Sequence, residues 1–320
     1  MKMPAILREA RPKQWAKNVL VLSAPGAAGV LNEWGSAWRT ILAFVALSLA
    51  ASGTYFWNDI LDVEADRSHP QKKFRPIAAG LVSLPTARIV GTLLLVSGVA
   101  VGFIPDWRCG VAVITYVVLT VSYSTFLKHQ PVLDLIAVAA GFVIRAIAGA
   151  EAAGVEMSTW FLLCVSFGAL FIVTGKRYAE MRDIGEDVAS TRATLTSYSL
   201  DYLRMVLAVS LGATLVSYCT WAFATKEISG TSWPSYELSI VPMLAALMRY
   251  LLALEQGHGA APEEVFASVA NYEEHSDPNF VVPIVPNAED VPTFISEQLV
   301  REIAATQIAI PEGFHIHPKL

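Results

Sequence analysis

Apolar residues along this chain fall into long blocks separated by short polar stretches. Eight blocks stand out, at 18–33, 39–57, 84–105, 108–127, 131–152, 158–175, 203–225 and 238–254. Most approach the run of about 20 residues that a helix needs to cross a bilayer. The first is short and is interrupted by Pro25. Glycine and proline inside such blocks are tolerated in lipid, because neighbouring helices satisfy the freed backbone groups. The pattern predicts an all-α protein, a polytopic transmembrane helix bundle of about eight spans.

The polar stretches are unequal. The N-terminus and the segments 58–83, 128–130 and 176–202, with the adjoining Arg88 and Arg204, hold 16 Lys and Arg. The alternate connections near 34–38, 106–107, 153–157 and 226–237, with Arg39 and Arg108, hold three. Excess cations mark the cytoplasmic side. The N-terminus and the basic loops are therefore expected in the cytoplasm, with the protein in the inner (plasma) membrane. Past residue 257 the pattern changes: 258–320 holds 2 Lys and Arg against 10 Asp and Glu, whereas 1–257 holds 21 against 18. This divides the chain into a membrane domain, 1–257, and a polar acidic tail, 258–320, with the composition of disordered or loosely packed chain.

Composition narrows the function. Of the 320 residues 54% are hydrophobic and 16% charged, against about a quarter charged in soluble proteins. The net charge of −5 argues against a nucleic-acid partner. Three cysteines without CxxC spacing support neither a disulfide framework nor a zinc ribbon. The first 18 residues are too polar for the core of a signal peptide.

Candidate chemistry concentrates where the second block ends, in Asn58-Asp59-Ile60-Leu61-Asp62-Val63-Glu64-Ala65-Asp66. Asp59, Asp62 and Asp66 at i, i+3 and i+7 share one helical face, with Glu64 opposite. Asp62 and Asp66 repel as like charges at i,i+4, and the membrane edge removes hydration. A hard divalent cation offsets both, and Mg²⁺ commonly takes one or two carboxylates together with phosphate oxygens. The plainer alternative is a solvated acidic helix end. Lys72, Lys73 and Arg75 follow in a proline-punctuated loop. Cations beside carboxylates form a two-part clamp for a diphosphate, although such a loop also serves as ordinary cytoplasmic positive charge. Further groups mark other membrane edges: Arg11, Trp15, Lys17 and Asn18 before the first block, and Tyr123 and Lys128 closing the fourth. Arg145 lies well inside the fifth, and an arginine there normally faces a polar cavity, toward a substrate phosphate or a carboxylate. Past the sixth block Lys176, Glu180, Asp183 and Asp187 share a face beside Arg177, with Arg192 and Tyr198 beyond. They read as a second half-site or as a salt-bridged solvated helix.

Through NDxxDxxxD at 58–66, residues 8–255 resemble the UbiA superfamily of intramembrane prenyltransferases. The stretches RPKQWAKN, NDILDVEADRSHPQKKFRPIAAG, YSTFLKHQPVLDL, GFVIRAIAG and GKRYAEMR leading to TRATLTSYS are similar to one branch, the decaprenyl-phosphate phosphoribosyltransferases. The resemblance implies that Asn58, Asp59, Asp62 and Asp66 form the Mg²⁺ side, the three aspartates as ligands and catalytic residues. It implies substrate contacts, chiefly to phosphates, from Lys17, Lys73, Arg75, Tyr123, Lys128, Arg145, Lys176 and Arg177. The implied reaction is Mg²⁺-dependent transfer of 5-phosphoribose from phosphoribosyl diphosphate to a polyprenyl phosphate, for cell-wall arabinan, by a bilayer-embedded protein open to forming a homo-oligomer. Two other readings stay open: a prenyl group leaving its diphosphate for an aromatic or haem acceptor, and a cation-coupled transporter. The resemblance also implies a ninth helix after about 260. The tail stands there instead, and its end, 295–320, resembles a segment of a 2-oxoglutarate dehydrogenase E1 subunit, as a foreign or shifted C-terminus would.

Overall fold

The computed structural model describes residues 3–184, 195–230 and 232–257. The expectations for the tail and for Asp187 and Arg192 fall outside them. A short helix α1 (Ala5–Glu9) leads through Arg11, whose φ of 51° is left-handed, into a 3-10 helix, Pro12–Leu22. Then come α2 (Ser23–Ala27), a left-handed turn at Gly29 and a 3-10 turn, Val30–Asn32. The 3-10 helix runs directly into α2, so 12–27 is helical without a break, with Pro25 and Gly26 inside α2, and the left-handed turn at Gly29 ends it.

Among the described residues seven stretches are helical, long and apolar enough to span. They are α3 (Trp34–Leu61), which is followed by the short α4 (Val63–Ser68), then α5 (Leu84–Gly102), α6 (Trp107–Thr125), α7 (Leu133–Ala153), α8 (Thr159–Ile184) and α9 (Leu200–Ser229). The last stretch joins α10 (Ser235–Leu238) to α11 (Ile240–Glu255). These coincide with the second to eighth apolar blocks. The chain is a multi-pass membrane protein.

Small buried residues on α3, among them Ala43, Ala46, Ala50 and Gly53, let neighbours approach closely, a common basis of helix association in lipid. A Cβ on Gly53 would stand 2.8 Å from the Gly91 carbonyl oxygen of α5. The 3-10 helix lies along another side of α3. Side chains of a 3-10 helix eclipse every three residues, so Trp15, Asn18 and Val21 form one row. Trp15 Nε1 donates to Ser52 Oγ at 3.0 Å and Asn18 Nδ2 to Ser48 Oγ at 3.0 Å. Three 3-10 residues and four α-helical residues both advance about 6 Å. The row therefore keeps step with α3 while running antiparallel to it.

Val21, third in the row, meets α7 at Gly149, where a Cβ would stand only 1.9 Å from the Val21 carbonyl oxygen. Overpacking of this kind costs about 1–3 kcal/mol. Gly149→Ala should accordingly lower the thermal-unfolding midpoint of the detergent-purified protein by several degrees. An unchanged midpoint would mean that this contact does not lock the segment.

A second core joins α8, α9 and α11 around Phe171, Tyr178, Leu203, Leu207 and Tyr250. Polar ties close one end of it. The Tyr178 hydroxyl accepts from Arg204 Nη2 at 3.0 Å and donates to Glu255 at 3.1 Å. Arg182 donates to the Leu254 and Glu255 carbonyls, the outward-facing acceptors that any helix C-terminus leaves unpaired.

Candidate active site

At the end of α3 the chain kinks at Asp62 (φ −92°, ψ 6°) and continues as α4. The i→i−4 bonds persist across the kink, Asp62 N–H to Asn58 at 2.9 Å and Asp66 N–H to Asp62 at 2.8 Å. The aspartates therefore keep nearly helical spacing, but they meet different cations. Asp59, 1% exposed, pairs with Arg11 and with Arg75 Nη1 at 3.1 Å. The same Arg75 nitrogen reaches Asp66 at 2.7 Å. Asp62 is turned to Lys128 at 3.5 Å. Asn58 Nδ2 donates to Asp59 at 3.3 Å. Glu64 is exposed on the far side and binds Arg67.

Glu9, at the end of α1, brings a fourth carboxyl to this corner. It is 1% exposed and lies beside Asp59 and the Ile77 backbone. Burial, reinforced by the neighbouring Asp59, pushes its pKa up to about 8. The upward shift favours its protonated form, which spares Asp59 a second negative charge.

The donor set fits a hard divalent cation. Asp59 and Asp66 converge on one cationic nitrogen, so Arg75 stands where such an ion would be attracted. Among the described residues no three acidic, His or Cys side chains form a ready cage, and Asp62 pairs with Lys128 rather than Arg75. Mg²⁺ keeps waters and phosphate oxygens and needs only one or two protein carboxylates. Asp59 and Asp66 are the residues that would hold it.

Two cavities open beside this cluster. The smaller, about 400 Å³, is the more polar of the two and reaches from Arg11 and Asn58, both bonded to Asp59, to Lys17, Tyr55, Tyr116 and Arg145. The larger, about 750 Å³, lies between the 3-10 helix, α7 and α8. Its walls are mostly apolar, among them Leu20, Val138, Phe142 and Val173, with Lys13, Lys17, Lys176 and Arg177 as its cations. The remaining two rows of the 3-10 helix, 13-16-19-22 and 14-17-20-23, line this space. Among the described residues no carboxylate lines either cavity, and Gln14, Lys17, Tyr123, Val138 and Phe142 line both.

Among the expected substrate residues, Lys17, Asn58, Tyr123, Arg145, Lys176 and Arg177 line these cavities. Arg75 and Lys128 hold the aspartates instead. Lys73 lies over the Phe74 ring at 5.2 Å and lines neither. Arg177, on α8, pairs with Asp134 at 3.4 Å and Glu180 at 2.9 Å. This makes Glu180 a salt-bridge partner rather than part of a second open acidic site.

Asp134, fully buried, is a hub that sequence reasoning missed. It also accepts from the Tyr198 hydroxyl, which in turn accepts from Val132 N–H at 2.6 Å. Burial, and then that bond to Asp134, raise the Tyr198 pKa and keep the phenol protonated. Val132 has φ 69°, costly for a β-branched residue. It and Arg11 are the two non-glycine residues with positive φ among the described residues. Both flank the site, where such strain tends to gather. Glu9, Lys13, Gln14, Tyr55 and Tyr116 were missed too. Gln14 had a signal, a polar residue between two lysines ahead of an apolar block, whereas Tyr55 and Tyr116 are inside spans where hydropathy hides them.

A family model described as the UbiA prenyltransferase family matches residues 19–272. The decaprenyl-phosphate phosphoribosyltransferase of Corynebacterium glutamicum is 41% identical over 272 residues, covering 82% of this chain and 80% of that protein. The Mycobacterium tuberculosis protein of the same name is 40% identical over 264 residues, 81% of this chain and 86% of that protein. The fold is shared with a UbiA homologue from Archaeoglobus fulgidus solved with GPP and Mg²⁺, at TM-score 0.61 and 16% identity, covering 96% of this chain and all of that one. The same homologue solved with Cd²⁺ aligns at TM-score 0.60 and 15% identity, over 95% of this chain and all of that one.

Proposed function

Because this chain belongs to the UbiA prenyltransferase family, we propose that it transfers 5-phosphoribose from phosphoribosyl diphosphate to a polyprenyl phosphate, with Mg²⁺, at the cytoplasmic face of the plasma membrane. The observation that carries this reading is the pair of unlike cavities sharing the wall of Gln14, Lys17 and Tyr123. A polar, cationic space beside carboxylates suits a water-soluble sugar diphosphate. An apolar space with its own cations suits an isoprenoid whose head is a phosphate. Prenyl transfer to an aromatic acceptor would instead need the apolar room on the side of the aspartates.

The chain's own residues account for most of the chemistry. Arg11 and Asn58 border the polar cavity and touch Asp59, so they orient a diphosphate toward the aspartates. The C1–O bond to diphosphate breaks as a lipid phosphate oxygen bonds to C1. That oxygen is already ionised at neutral pH, so no general base is required, and among the described residues no histidine lines either cavity. Lys17, at the shared wall, faces both the incoming phosphate and the developing charge, where a fixed cation lowers the barrier most. A bound Mg²⁺ supplies neutralisation of the leaving diphosphate. The product, a lipid-linked phosphoribose, would serve cell-wall arabinan synthesis.

The test supplies purified protein with Mg²⁺, sugar-labelled phosphoribosyl diphosphate and polyprenyl phosphate. A labelled, Mg²⁺-dependent lipid is expected. Transfer of a prenyl group from prenyl diphosphate, or ion flux without diphosphate release, would overturn the reading. Sidedness has its own test. A cysteine at exposed Ser68 should be labelled only from the cytoplasm and one at exposed Ser232 only from outside. Labelling of position 68 from outside would reverse the orientation.

A further inference from the structure

Arg145 is unlike the other site arginines, because each of those faces a carboxylate. Arg11 meets Asp59, Arg75 meets Asp59 and Asp66, and Arg177 meets Asp134 and Glu180. Arg145, 6% exposed in the middle of α7, has only neutral partners among the described residues. Its Nε donates to Asn18 Oδ1 at 2.8 Å, Nη1 to the Gly141 carbonyl at 2.7 Å and Nη2 to the Tyr116 hydroxyl at 3.1 Å. Its guanidinium lies 4.7 Å from the Tyr116 ring centre and 5.4 Å from that of Phe142. Three of the five N–H groups are occupied, and a guanidinium presents all five as donors. A charge buried in a span and left without an anion is costly, and its position on the wall of the polar cavity says where the anion comes from.

The cavity has a charged group at each end. Asn18, which holds Arg145, is level with Ser48 on α3, whereas the aspartate end begins at Asn58. The ten intervening residues of α3 rise about 15 Å. The arginine reaches back toward Gly141, which shortens that gap. One phosphate group cannot serve both ends. A donor with anions on both sides of a small polar body can, and a prenyl diphosphate would lay hydrocarbon against the desolvated guanidinium.

Resting on the phosphoribosyl-transfer reading, we propose that Arg145 binds the 5-phosphate of the donor, remote from the diphosphate, and so determines selection of a phosphorylated sugar diphosphate. The two unused N–H groups suit a phosphate oxygen, for which arginine offers charge and directed donors together. Asn18 is a positioning residue that links this guanidinium to α3.

The experiment uses the full chain in detergent with two donors, phosphoribosyl diphosphate and the ribosyl 1-diphosphate lacking the 5-phosphate. The parent should prefer the first by at least about 100-fold in kcat/KM, in line with the penalty for stranding buried polar groups. Arg145→Met should erase most of that preference, chiefly through KM for phosphoribosyl diphosphate, and Arg145→Lys should restore part of it. Ribose 5-phosphate should compete with the donor on the parent enzyme and ribose should not, a result that stands even if Arg145→Met fails to fold. Equal slowing of both donors in Arg145→Met, no preference in the parent, or equal inhibition by ribose and ribose 5-phosphate would each overturn the proposal while phosphoribosyl transfer persists. A parent that transfers a prenyl group and neither sugar overturns the function and this inference together.

Discussion

Replacing Asp59 by alanine is expected to reduce transfer by three orders of magnitude or more, about 4 kcal/mol in the barrier. Asp59 is the point where Arg11, Arg75 and Asn58 meet, so the change would remove a ligand of the proposed cation and free two arginines from their common partner. Both arginines are about a quarter exposed, and solvent tempers the loss of stability accordingly. The variant should therefore remain extractable and helical while its labelled-lipid product disappears. Asp59→Asn, which keeps the shape and removes the charge, should be nearly as inactive. Near-parental turnover by a folded Asp59→Ala protein would remove this aspartate from the mechanism. Asp62, turned toward Lys128, should prove the mildest of the three alanine variants.

The second large effect is expected at Lys17. Loss of a cation placed where charge develops typically lowers kcat by about 10²–10³-fold. Lys17 borders both cavities, so Lys17→Ala should also raise KM for donor and lipid alike. Lys176→Ala, which borders the apolar cavity alone, should raise KM for the lipid phosphate and leave the donor KM near parental. Steady-state titration of each substrate in turn checks both expectations. A donor-only defect in the lysine-17 variant would mean that the two substrates do not meet at that wall.

Much of this was legible in the sequence, for identifiable reasons. A span needs length and hydropathy, which are sums over neighbouring residues, so α3 and α5 to α11 emerged from their apolar blocks within a few positions. The aspartate motif was legible because three like charges on one helical face beside lipid demand a counter-charge. What supplies that counter-charge depends on contacts distant in sequence. Arg11 lies 48 residues from Asp59 and Lys128 lies beyond two further spans, and local spacing cannot indicate which cation faces which carboxylate. Asp134 was hidden for the same reason, since its partners Arg177 and Tyr198 are 43 and 64 residues away. In the first block hydropathy records that residues 18–33 are apolar but not that the winding is threefold up to Leu22 and α-helical after it. Glu9 gave no sign at all, because its burial follows entirely from tertiary packing.

The threefold winding of Pro12–Leu22 governs how this family member can change over evolutionary time. Point substitutions within a row alter one wall of one compartment and leave the others alone. A single-residue deletion in the segment turns every downstream position by about 120°. It would swing the position of Lys17 off the shared wall and drive a neighbour into α3. Such frameshifts of register should be absent from functional variants between residues 12 and 22, although side-chain identity on the cavity rows is free to drift with the lipid and sugar in use. A deletion scan scored by growth would map that boundary one residue at a time.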